Sequence, residues 1–305
     1  MIYLSVCSGI EAASVAWEPL GFKPVGFAEI EPFPCELLKQ KYPNVKNYGD
    51  ITQYEKWNAE KFDILVGGTP CQSFSVAGKR GGSADERGAL MYAYLGIVEA
   101  YRPRWVIWEN VPGVLSSNSG YDFTSFLAGL EECGYGWAYR VLDAQYFGVP
   151  QRRRRVFVIG HIDNRTDLAA EVLFEQQGVC GNIAAGSETQ KETTVAIGKG
   201  VNYFRRGGNF KYHKDKKAAT LRSSAASDCF DLVLTSEKEY IRHLTPLECE
   251  RLQGFPDNYT QIEWNDKTKD QCPDTPRYKA IGNSMAVPVM RWIGERIKRI
   301  EEKTK

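Results

Sequence analysis

Short apolar blocks alternate with longer stretches of helical spacing over roughly the first half of the chain. Ile2–Val6, Val25–Ala28, Ile64–Val66 and Trp105–Trp108 have the length and apolar content of buried strands. Between them, Glu11–Leu20, Cys35–Tyr42 and Ala89–Tyr101 carry helical periodicity, and Phe123–Cys133 follows the last. This alternation predicts an α/β fold, a doubly wound, Rossmann-like, largely parallel sheet. Ser8-Gly9-Ile10-Glu11 reads as a capping box opening the first helix, with Ala12, Val15 and Ala16 facing inward. The strands Trp137–Leu142 and Val156–Ile159 are joined by too short a segment for a crossover helix, so they are expected to pair antiparallel.

Beyond His161 the regularity is lost, and the chain to about residue 240 is rich in Gly, Ser, Ala, Thr and Lys. The expected organisation is a main domain over 1–163, a small domain over 164–240, and a segment over 241–305 whose last helix returns to the main domain. Order resumes at Thr245-Pro246-Leu247-Glu248, an N-cap, a first-position proline and a capping glutamate, with a helix to about Leu252. A second helix is expected over Val287–Arg299, its basic residues suiting a C-terminus.

Composition narrows the picture. The chain has 305 residues, 43% hydrophobic, enough for one large domain with a smaller companion. No stretch approaches the roughly 20 apolar residues of a membrane span, and the first residues read as a strand with no cleavage signal, so a cytoplasmic location is expected. The eight cysteines are scattered without a C-x-x-C pair and only three histidines accompany them, so reduced thiols and no metal site are expected. A net charge of +1 gives no hint of a polyanionic partner, so any hint must come from local clustering, and the cluster at 199–222 suits a nucleic-acid surface or a solvated loop. Residues 199–222 hold Lys199, Arg205, Arg206, Lys211, Lys214, Lys216, Lys217 and Arg222 against Asp215 alone, interleaved with Tyr203, Phe204, Phe210 and Tyr212.

Ligands bind such sheets at the carboxyl ends of the strands. Gly9 follows the first strand and Glu29 ends the second. Asp50 lies in a Gly-Asp-Ile turn after a short third strand, and Cys71 and Glu109 follow later ones. Cys71 is presented by a strand that empties into Gly67-Gly68-Thr69-Pro70, where glycines let the chain turn and a ligand approach. Gln151-Arg152-Arg153-Arg154-Arg155 opens the last strand. A thiol, a carboxylate and guanidinium groups at neighbouring strand ends suit nucleophilic catalysis.

In order along the chain, Pro70-Cys71-Gln72, Glu109-Asn110-Val111, Gln151-x-Arg153-x-Arg155, the segment Arg242–Pro256 and Ile281-Gly282-Asn283-Ser284 resemble the motifs of the DNA cytosine-5 methyltransferases. The resemblance covers nearly the whole chain except about 165–240. It implies that Cys71 adds to C6 of cytosine, making C5 nucleophilic. It further implies that Glu109 holds N3 and the exocyclic amine, and that Arg153 and Arg155 orient the base oxygen or an adjacent phosphate. It implies S-adenosylmethionine as methyl donor, with Glu29 on the ribose hydroxyls and Ile30, Asp50 and Ile51 around the adenine. Pro70, Leu90, Asn283 and Ser284 would complete that pocket with Cys7, Ser8, Gly9 and Ile10. The first loop departs from the family's Asp-x-Phe-x-Gly-x-Gly-Gly: Cys7 stands for the aromatic and Glu11 for a glycine.

The resemblance also implies double-stranded DNA as substrate, a flipped target base, a cognate restriction endonuclease as a further partner, and a monomeric enzyme. The implied DNA contacts are Gln72, Ser75, Lys79 and Arg80 in the loop after Cys71, and Arg205, Arg206, Lys211 and Lys214 in the recognition segment. Two alternatives remain open at this point: an RNA cytosine-5 methyltransferase built on the same motifs, and a non-catalytic DNA-binding protein on the same scaffold. No side-chain base for the Cys71 thiol is evident.

Overall fold

The computed structural model describes residues 1–69, 89–174, 202–206, 212–215, 218, 221, 231–234 and 241–304. Its main sheet is built outward from β1 (Ile2–Val6), whose side chains are sequestered on both faces, as a central parallel strand requires. β2 (Lys23–Ala28) and β3 (Ile64–Gly67) flank it in parallel, and β4 (Trp105–Asn110) extends the parallel run. β6 (Arg154–Ile162) joins β4 antiparallel, and β5 (Tyr135–Asp143) closes the edge antiparallel to β6, as the short connection requires. The order is β2-β1-β3-β4-β6-β5. Strand order reverses between β1 and β3, so the loops leaving these two strands border the crevice where such sheets bind ligands.

Each face of the sheet has its own core. On one, Tyr3, Ile64, Val66, Trp105 and Ile107 pack with α1 (Ala12–Trp17) and the C-terminal helix α8 (Val287–Thr304). On the other, Leu4, Val6, Leu65, Val106 and Trp108 pack with α3 (Ala89–Tyr101) and α4 (Tyr121–Glu132). Gly294 lets α8 approach α1 closely, since a Cβ there would lie 2.5 Å from the Trp17 ring. The Trp17 indole donates to Met290 O at 2.7 Å, so its buried N–H is satisfied. The helix α2 (Pro32–Lys41) follows β2.

Several expectations change here. The first helix begins at Ala12, not with Ser8 as its cap: Glu11 is the N-cap, and Ser8 turns its hydroxyl to Ser5 O. The strand expected before Asp50 is a single bridge between Phe27 and Asn47. Two helices carried too weak a pattern to be read. α5 (Thr166–Leu173) packs on β5 and β6, where Arg140 donates to Leu173 O at 2.7 Å. α7 (Asp274–Asn283) holds the Ile-Gly-Asn segment at its end. Before it, α6 (Pro246–Gln253) has the expected capping box between Thr245 and Glu248. A second, antiparallel sheet has the order β10-β9-β7-β8, with β7 Asn202–Arg206, β8 Tyr212–Asp215, β9 Asp231–Leu234 and β10 Ile241–His243. No helix among the described residues is long and apolar enough to cross a membrane.

Candidate active site

The ends of β3 and β4 are locked together immediately before the Cys71 loop. The Trp108 indole donates to Thr69 Oγ1 at 3.1 Å, and the Asn110 amide donates to Thr69 O at 3.3 Å. Gly67 and Gly68 serve close approach. A Cβ at Gly67 would lie 2.3 Å from Val6 O, and one at Gly68 would lie 2.7 Å from Glu109 Oε2. Pro70, Cys71, Gln72, Ser75, Lys79, Arg80 and Lys211 lie outside the described residues, while Arg205 and Arg206 sit on β7 and Lys214 on β8. Gly68→Ala is expected to displace the Glu109 carboxylate and lower kcat by about 10- to 100-fold, as ångström-scale misplacement does. Steady-state kinetics alongside thermal unfolding would separate this from lost stability.

Glu109, at the end of β4, is paired with Arg155 near the start of β6: Nε lies 2.9 Å from Oε1. Both side chains keep a small exposed fraction, 12% for Glu109 and 15% for Arg155, so the pair faces an opening while its stems are packed. Arg152 and Arg154 are exposed, as the strand alternation predicts. Arg153, expected with Arg155 to orient the base oxygen or an adjacent phosphate, is turned inward. Only 2% exposed, it donates to Leu221 O at 3.2 Å, Gly282 O at 3.0 Å and Ser284 O at 2.5 Å. Burial, then the neighbouring Arg155 charge, lowers its pKa to about 9, leaving it protonated at neutral pH. Strand alternation put Arg153 and Arg155 on one side of β6; which one reaches the opening was decided by what packs over each.

A second cluster gathers at the carboxyl ends of β1 and β2. Glu29 accepts from Gly9 N through Oε2 and from Ile30 N and Glu31 N through Oε1, all at 2.7 Å. Its carboxylate therefore fixes the loop after β1 to the turn after β2. Ile30 stands 67% exposed beside it, an apolar surface without cover. Asp50 accepts from Thr52 N at 2.8 Å, with Ile51 buried beneath it. Asn47, which sequence reasoning missed, joins these parts: its amide oxygen accepts from Glu29 N and Gly49 N, and its amide nitrogen donates to Glu29 O. The only signal was an asparagine shortly before the Gly-Asp turn. Tyr259, also missed, donates to Ile10 O at 2.9 Å. Leu90 is half-buried on α3, Ser284 is buried, and Asn283 is exposed at the end of α7. Acidic Glu29 and Asp50, with no lysine or arginine in the stretch from Cys7 to Glu11, suit the hydroxyls of a nucleoside and repel a phosphate.

The loop between them is bent by three left-handed residues, Cys7 at φ 48°, Gly9 at φ 57° and Glu11 at φ 60°. A glycine would take the last conformation freely; a glutamate is strained there by about 1–2 kcal/mol. Its side chain offsets that by accepting from Ser14 N at 3.2 Å and Ser14 Oγ at 2.6 Å, with Tyr3 OH 2.6 Å from the same hydroxyl. Oε1 of Glu11 is buried without a partner. Around it stand Tyr3, Tyr42, Tyr259 and Glu18, none of them cationic, and burial raises the carboxyl from 4.5 to about 7.

Folding thus raises this pKa, so the native state binds the proton more tightly than the unfolded chain. Its stabilising contribution is complete below about pH 4.5 and is lost as pH rises to about 7. Glu11→Gln is expected to abolish that slope: unfolding free energies from urea titration should match the parent's at pH 5 and exceed them at pH 8, by up to about 3 kcal/mol. A variant less stable than the parent at pH 8 would show that the carboxylate is compensated after all.

The family model for C-5 cytosine-specific DNA methylase matches residues 1–199 and 174–299. The chain is 36% identical to a protein of Escherichia phage P1 named DNA N-6-adenine-methyltransferase, covering 97% of this chain and 61% of that relative. It thus spans less than two thirds of that relative's length. It is 30% identical to the type II methyltransferase M1.ScrFI of Lactococcus lactis subsp. cremoris, covering 96% of this chain and 78% of that protein. Among solved structures, S. pombe Dnmt2 methyltransferase superposes with a TM-score of 0.69 at 16% identity, covering 100% of this chain and 99% of the other. With a family model matched over residues 1–199 and 174–299 and a type II methyltransferase 30% identical over nearly the whole chain, the chain belongs to the C-5 cytosine-specific DNA methylase family.

Proposed function

We propose that the protein methylates C5 of a cytosine flipped out of double-stranded DNA, through a covalent bond between Cys71 and C6, with S-adenosylmethionine as donor. The observation that carries the reading is the Glu109–Arg155 pair at the opening beside the strand end that leads to Cys71. S-adenosylmethionine, when bound, supplies an electrophilic methyl group on a sulfonium. The chain's own residues do the rest. Glu29 would accept from the ribose hydroxyls, Ile30 would cover one adenine face, and Asp50 would receive the adenine amine.

The thiolate of Cys71 adds its electron pair to C6, and the C5–C6 double-bond electrons become available at C5. Glu109 would hold N3 and the exocyclic amine, so that N3 takes a proton as negative charge develops. Arg155, fixed by its bond to Glu109, would stabilise charge on the base oxygen. After C5 gains the methyl group, loss of the C5 proton to water restores the double bond and expels the Cys71 thiolate, and N3 gives up the proton it took. Only a base outside the stack offers C6 to the thiol.

The name of the phage relative raises adenine as a target, but amine methylation needs no thiol at C6. Incubating the protein with labelled S-adenosylmethionine and either plasmid DNA or tRNA, then separating the digested nucleosides, tests the reading. Label in 5-methylcytosine from DNA supports it. Label in N6-methyladenine, or in tRNA alone, would sink it. The second sheet, whose β7 carries Arg205 and Arg206 and whose β8 carries Lys214 in register with Phe204, would supply phosphate contacts and sequence choice.

A further inference from the structure

Arg153 is a buried guanidinium that, among the described residues, pairs with no carboxylate, and its Nε is without a partner. Burying a cation is costly, and its donors can bridge separate carbonyls in a way that a packed apolar side chain could not. Two of its bonds, to Gly282 O and Ser284 O, lie at the C-terminal end of α7, where carbonyls lack helical partners and a positive charge is favoured. Gln253, fully buried on α6, donates to Ile281 O at 3.0 Å in the same turn. Asn283 projects from this turn to solvent, and the Met285 side chain reaches within 3.5 Å of the Cβ position at Gly68. The turn therefore touches the strand end that leads to Cys71.

The third bond goes elsewhere. Leu221 O belongs to the stretch between β8 and β9, the part of the chain that connects strands of the second sheet. The same stretch is stitched to the residues just before Arg153: Ala218 N donates to Pro150 O at 2.9 Å, and Arg152 N donates to Ala218 O at 3.0 Å. One rigid fork thus holds carbonyls from the end of α7 and from the stretch between β8 and β9.

We propose that Arg153 is a positioning residue that couples cofactor binding to DNA binding, by seating the Gly282–Ser284 turn and the Ala218–Leu221 stretch on one guanidinium. This rests on the functional reading above. A duplex docked on the second sheet would hold Leu221 O in place, and through the guanidinium the turn that carries Asn283. By linkage the effect is reciprocal.

The test is calorimetric titration of S-adenosylhomocysteine into the intact protein, with and without saturating sheared plasmid DNA. DNA should tighten binding to the parent protein by about 5-fold or more, the lower end of ordinary coupling. In Arg153→Lys and Arg153→Met the factor should fall below about 2-fold, because an ammonium or a thioether cannot span both segments. Tyr278→Phe, which removes a bond from α7 to Leu244 O, should lower stability but leave the factor intact. If Arg153→Met does not fold, Arg153→Lys decides alone. Binding of both ligands to the parent protein without coupling, or undiminished coupling in Arg153→Lys, would overturn the proposal. No binding of S-adenosylhomocysteine to the parent protein would instead overturn the functional reading on which it rests.

Discussion

Cys71→Ala is expected to abolish methyl transfer, lowering kcat by on the order of 10⁴-fold or more, while leaving DNA and cofactor affinity nearly unchanged. The expectation follows from the chemistry of the acceptor. C5 of cytosine is a weak nucleophile, and no acid or base in the site can give it enamine character without a bond at C6. In the proposed mechanism Glu109 and Arg155 would stabilise the charge that develops once the thiolate adds; they would not start the reaction. The variant should fold normally, since the described part of the strand ending before Cys71 is held by Val6, Trp108 and Asn110 through Gly67 and Thr69.

A duplex carrying 5-fluorocytosine separates this role from a merely structural one. Fluorine at C5 cannot leave as a proton does, so the parent protein should stay attached to the duplex through sulfur on a denaturing gel, and Cys71→Ala should not. A trapped adduct in the variant would identify another nucleophile. Absence of an adduct with the parent protein, under conditions where it methylates ordinary DNA, would exclude the covalent route.

The second large effect is expected at Glu109. Glu109→Gln removes the carboxylate that pairs with Arg155 and, in the proposed mechanism, serves N3, and kcat should fall by about 10²- to 10⁴-fold, the usual range for a positioned acid or base. Stability should fall less. Breaking a fully buried ion pair costs about 3–5 kcal/mol, and a pair that keeps some solvent contact costs below that range. The two consequences can be pulled apart with a second substitution. Arg155→Met added to Glu109→Gln removes the stranded charge, so the double variant should regain much of the melting temperature while remaining as slow as Glu109→Gln or slower. Recovery of activity together with stability would mean that Glu109 serves only the fold.

The sequence by itself determined the alternation of strand and helix, the antiparallel closing pair, and the positions of Gly9, Glu29 and Glu109 at carboxyl ends of strands. These follow from local periodicity and turn chemistry, which a chain carries residue by residue. It also showed that Arg153 and Arg155 share a side of β6. Where the signal was diluted, it was silent. α5 and α7 are short, and the helical pattern of α7 is interrupted by a proline and a glycine within Asp274–Asn283.

The tertiary structure alone decided what each side chain meets. The Ser8-to-Glu11 spacing permits a capping box, yet the left-handed turn of the loop makes Glu11 the cap and buries its carboxyl. Gly67 and Gly68 look like turn residues in sequence; their purpose is close approach to Val6 and Glu109, which lie far away along the chain. Asn47 and Tyr259 owe their places to backbone atoms remote in sequence, at Glu29 and Ile10. The division between Arg155 at the opening and Arg153 in the interior likewise arises from the carbonyls of Leu221, Gly282 and Ser284, brought to β6 by packing. Residue type and spacing specify what a side chain is able to do; burial and partners, set by contacts remote in sequence, select which of those things it does.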